Sequence, residues 1–120
     1  MSIPKKAYSN VSGPYEYIGT FNCASSDGYG EVPGVLGVER GQADGYYKLT
    51  LDRKFPNSSL LYADAKVVSP YIDRGYTAEV CLQTPVDKTV EIATRNEAGT
   101  IAPLTDGSTV QFCLKFKRHN

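Results

Sequence analysis

The chain has 120 residues, 41% of them hydrophobic and 11% aromatic. That is single-domain size, with enough apolar content for one packed core, which excludes a disordered chain. Thirteen basic and thirteen acidic residues cancel, so no global field exists to draw in nucleic acid or an anionic membrane. No apolar run is long enough to span a bilayer. Met-Ser-Ile-Pro-Lys-Lys at the N-terminus lacks the apolar segment of a secretory signal, and the expectation is a chain made and folded in a cytosol. Cys23, Cys81 and Cys113 lie far apart, and their odd number is read as reduced thiols used as small apolar fillers.

Residues 1–14 carry Pro4, Lys5, Lys6, Gly13 and Pro14 without periodicity and are read as an extended arm ahead of a domain at 15–120. In the next stretch, 15–23, Tyr15, Tyr17, Gly19, Phe21 and Cys23 share one face of a first strand. The stretch 24–45 holds six glycines and Pro33. This density rules out a helix, and the expectation is a long loop with one short extended piece at 35–39. Long loops within compact domains are often functional.

Asp44-Gly45 then opens 46–51, with Tyr47, Leu49 and Leu51 facing one way and Tyr46, Lys48 and Thr50 the other. Phe55-Pro56-Asn57 is a turn. Residues 59–68 are ambiguous between helix and strand, and Val67, Val68 and Pro70 decide for strand. Residues 75–83 place Tyr76, Ala78, Val80 and Leu82 opposite Thr77, Glu79, Cys81 and Gln83. After a turn at Pro85, residues 89–95 place Val90, Ile92 and Thr94 opposite Glu91, Ala93 and Arg95. Asp106-Gly107 marks the last turn. Beyond it Val110, Phe112, Leu114 and Phe116 alternate with Gln111, Cys113, Lys115 and Lys117, the cleanest period-two pattern in the chain. Short strands at short intervals predict an all-β fold, an antiparallel β-sandwich (jelly-roll-like) of about six to eight strands with an extended N-terminal arm.

Catalytic chemistry finds few footholds. The single histidine, His119, neighbours the C-terminal residue, so the usual Ser-His and Cys-His systems cannot be built. The cysteines lack zinc-site spacing. Asp27, Glu31 and Asp44 could offer oxygen ligands to calcium but lack EF-hand spacing and are read as solvated loop carboxylates. Gly28-Tyr-Gly-Glu-Val-Pro-Gly34 fails the phosphate-binding patterns, since Pro33 stands where a third glycine is needed. The reading is a non-enzyme with no cofactor and no metal. Nine tyrosines suit strand packing and protein contacts, with sugar stacking at Tyr29, Tyr46 and Tyr71 as the rival. The candidate partner-binding residues are Lys5, Lys6, Tyr8, Tyr29, Glu31, Tyr46 and Tyr71.

Two stretches carry a resemblance. Gly45-Tyr-Tyr-Lys-Leu-Thr-Leu-Asp-Arg-Lys-Phe-Pro-Asn-Ser-Ser-Leu-Leu-Tyr-Ala-Asp-Ala-Lys-Val is the first. Thr89-Val-Glu-Ile-Ala-Thr-Arg-Asn-Glu-Ala-Gly-Thr with Leu104-Thr-Asp-Gly-Ser-Thr-Val-Gln-Phe-Cys-Leu is the second. Together they resemble the small β-sandwich modules of tailed-bacteriophage virion proteins, of head decoration (cement) or tail-fibre type, over about residues 45–117. The resemblance implies a virion protein made in the bacterial cytoplasm. A compact domain with an extended arm suits a decoration protein that stabilises the assembled capsid. Its partner would be the major capsid protein or another virion protein, with homo-oligomers, a trimer among them, expected. The alternative is a carbohydrate- or receptor-binding module of a tail or head fibre.

Overall fold

A computed structural model describes residues 8–9, 15–22, 33–56, 58–68, 75–104 and 108–117. The strands are β1 (Tyr8–Ser9), β2 (Tyr15–Asn22), β3 (Val35–Arg40), β4 (Tyr46–Leu51), β5 (Leu60–Val68), β6 (Thr77–Thr84), β7 (Thr89–Arg95) and β8 (Thr109–Phe116), with a 3₁₀ turn at Pro85–Asp87. They form two antiparallel sheets, β1-β2-β8-β5 (sheet I) and β3-β4-β7-β6 (sheet II). The fold is therefore an antiparallel β-sandwich of seven full strands, with the two-residue β1 added at one edge. The chain changes sheet after β2, β4, β5 and β7, so the first full strand ends up beside the last.

Alternation explains the core. Val110, Phe112, Leu114 and Phe116 are all buried, as are Tyr17 and Phe21 of β2, Leu49 and Leu51 of β4, and Val90 and Ile92 of β7. Each set comes from one face of its strand, so two inner faces interdigitate and exclude water. The Phe-Pro turn delivers Phe55 into this layer, stacked on Phe116 with ring centroids 4.2 Å apart. Tyr17 meets both rings edge-on, at 6.1 and 5.8 Å, an arrangement that pairs ring edges with ring faces. Its hydroxyl donates to Asp52 Oδ1 at 2.6 Å. That bond ties β2 of sheet I to the end of β4 in sheet II.

Three departures from the sequence pattern have one cause each. First, Leu82 does not join Tyr76, Ala78 and Val80 at the core but is 45% exposed. Val80 faces Ile92 while Leu82 faces Glu91, so Cys81 is an extra residue in a β-bulge. A bulge puts everything after it out of phase. Similar shifts occur between Val35 and Gly37 on β3 and between Leu60 and Tyr62 on β5.

Second, β7 is buried on both faces, Glu91 and Ala93 included. The β3–β4 turn folds over it, and Gln42 N–H donates to Glu91 Oε1 at 3.2 Å. Third, the thiols do not fill the core. Cys113 lies half-buried on the outside of sheet I, and Cys81 is exposed at its bulge; both are free. Cys23 lies outside the described residues.

Candidate contact surface

Of the seven contact candidates, Lys5, Lys6, Tyr29, Glu31 and Tyr71 lie outside the described residues. The backbone of Tyr8 joins sheet I, paired with Glu16. Tyr46 sits half-buried on the outside of sheet II, opposite Ala93 and against the turn at Gly41. Tyr8 and Tyr46 thus belong to different sheets.

The middle of the outside of sheet II is covered by the chain itself, while Leu36 and Leu82 on its edge strands stay exposed. Lys48 pairs with Glu39 at 3.2 Å and Arg95 with Glu79 at 2.8 Å. Glu91 is capped by the turn above it. That turn is anchored at both ends. Gly41 N–H donates to Tyr46 O at 2.7 Å, and Thr94 N–H donates to Gly45 O at 2.8 Å. The Thr94 hydroxyl donates to Ala102 O at 2.6 Å, so residues 101–102 are drawn in beside Gly45 at the end of β4. Gly45 has φ +90°, and a Cβ there would stand 2.7 Å from Ile101 Cγ2. Only glycine satisfies both the angle and the space.

The outside of sheet I is built differently. Register aligns Glu16, Lys115 and Tyr62 in one row, Ile18, Cys113 and Asp64 in the next, then Thr20, Gln111 and Lys66, and Thr109 beside Val68. Ile18, Tyr62 and Val68 are 43%, 50% and 48% exposed. Lys115 reaches Glu16 at 3.6 Å and lies over the Tyr62 ring at 5.7 Å. Asp64 and Lys66 are exposed, and neither has an ion pair among the described residues. Large apolar groups among charges of both signs make the mixture found at protein–protein interfaces. Sequence reasoning missed Ile18 and Tyr62 as contact candidates. The available signal was a large apolar side chain at the outward positions of strands whose inward positions were already apolar.

Among the described residues no group of three or more His, Cys, Asp or Glu side chains could hold a metal ion. Asp44, one of the three loop carboxylates, is instead paired with Arg40 at 2.9 Å. Burial, reinforced by the Glu91 carboxylate, pushes the Cys81 thiol above its ordinary range. Burial does the same to Cys113 against the opposing pull of Lys115. Both shifts disfavour the reactive thiolate at neutral pH. No helix among the described residues is long and apolar enough to cross a membrane. No protein-family model, curated protein or solved structure matches the chain.

Proposed function

We propose that this chain is a non-enzymatic structural protein of a tailed-phage virion, which binds the assembled capsid as a decoration protein through the outer face of sheet I. The observation that carries the contact reading is the exposed set Ile18, Tyr62 and Val68, spread over a face whose polar positions carry both charges. The decoration role rests on the resemblance of residues 45–117 to virion β-sandwich modules. The arm residues Tyr8–Ser9 extend the same sheet, so arm and face can address one partner together. A module that binds only the assembled shell stabilises it by mass action, and many weak copies suffice.

Purified particles are expected to contain the chain in many copies, and particles stripped of it to lose resistance to heat and low salt. Ile18→Arg, which puts a charge at the middle of the face, is expected to abolish rebinding to stripped particles. Particles holding none or a handful of copies would rule out decoration. Undiminished rebinding of the Ile18→Arg protein would rule out this face.

A further inference from the structure

Strand β5 is the unpaired edge of sheet I: β8 pairs with one side of it, no described strand hydrogen-bonds to the other, and β6 of sheet II runs close by at that end of the sandwich. Its outward residues after the bulge are Tyr62, Asp64, Lys66 and Val68, all exposed. In order they read aromatic, acid, base, aliphatic. Reversed, the series reads aliphatic, base, acid, aromatic, so laid antiparallel against itself it matches apolar with apolar and acid with base. We propose that two copies of the chain associate edge to edge along β5, antiparallel, about a two-fold axis through Ala65.

In that register Tyr62 faces Val68 of the second copy, and Asp64 faces its Lys66. Each contact occurs twice, as an isologous interface requires. Cross-strand neighbours of these types attract one another, and like charges placed opposite repel. The register is also guarded. The bulge at Leu61 ends regular pairing on one side, leaving residues 62–68, whose midpoint is Ala65. A slip that keeps the outward face outward moves the axis to residue 64 or 66, which sets Asp64 against Asp64 or Lys66 against Lys66. Both slips are penalised.

The occupant is a second copy because the charge order complements itself. Asp64 and Lys66, without ion pairs among the described residues in one copy, become paired in two. Edge pairing turns both outer faces of sheet I the same way. If the shell-binding reading above holds, the pair meets its partner as one bivalent face.

Sedimentation equilibrium of the full chain tests this. The wild type is expected to show a reversible monomer–dimer equilibrium. Asp64→Lys and Lys66→Asp should each weaken it about tenfold or more, since each turns two attractive pairs repulsive. The double variant, which restores opposite charges, should recover most of the affinity. Thermal melts of the three proteins confirm that they fold. A chain that stays monomeric up to about 1 mM, or a dimer indifferent to the charge changes, overturns the proposal. A monomer that still decorates particles overturns this inference alone. A swap-sensitive dimer that binds no particle upholds it and removes the shell-binding reading instead.

Discussion

On β7, Glu91 and Ala93 point away from the core and are nonetheless buried; on β2 and β5, Ile18 and Tyr62 point away and stay exposed. The two sheets share one core, yet over β7 sheet II has its outside closed by its own chain, with Leu36 and Leu82 exposed only on its edge strands, and sheet I has no such cover among the described residues. Sheet II spends the 41–45 turn on its own outside, over Glu91, with the Lys48–Glu39 and Arg95–Glu79 pairs beside it. Sheet I has no such segment among the described residues. Its outward apolar groups contribute little to folding alone, and they are the surface that another protein can use.

The sharpest way to break the contrast is to open sheet II. Gly45→Ala forces a side chain into φ +90° against Ile101 and the Ala102 backbone, at a cost of about 1–3 kcal/mol. Urea titration should show that loss. An unchanged midpoint would mean that the cover is dispensable.

Sheet I is held by its inner face, and Tyr17 measures that hold. Burial first, then the bond to Asp52 and its charge, push the Tyr17 phenol well above its ordinary value near 10. The folded state therefore keeps its proton where the unfolded state gives it up. The stabilisation is full below the ordinary phenol range and is lost as pH climbs above it. Tyr17→Phe should cost about 1 kcal/mol at neutral pH and flatten the alkaline fall in stability. An alkaline profile identical to wild type would show that another group governs it.

The smallest expected effect is at the open face. Ile18→Arg should shift stability by no more than about 0.5 kcal/mol while removing particle binding. A large drop in melting temperature would show that Ile18 supports the fold after all.

How much of this was legible in the sequence depends on how far each cause lies along the chain. Alternation in β8 is a local property, and the four inward residues were readable directly. So were Tyr47, Leu49 and Leu51 on β4, and the Phe55 turn. The fate of Leu82 was not, because a bulge is defined by the partner strand and Cys81 carries no mark of its own. Glu91 looked like a solvated outer residue because its cover comes from Gln42, 49 positions away. Tyr46, a contact candidate by its place beside a loop, is half-buried by the same turn. Ile18 and Tyr62 were hidden for the opposite reason: an outward apolar residue on a strand looks like more core until the covering layer is known to be absent among the described residues.

The placement of β8 between β2 and β5 has a consequence for biosynthesis. It is the last described strand to leave the ribosome, and without it neither neighbour has a partner across the middle of sheet I. Until then β2 and β5 hold unpaired backbone and bare aromatic rings, while β4, β6 and β7 can already associate. A stalled or truncated product lacking β8 would be a half-finished sandwich, prone to aggregation.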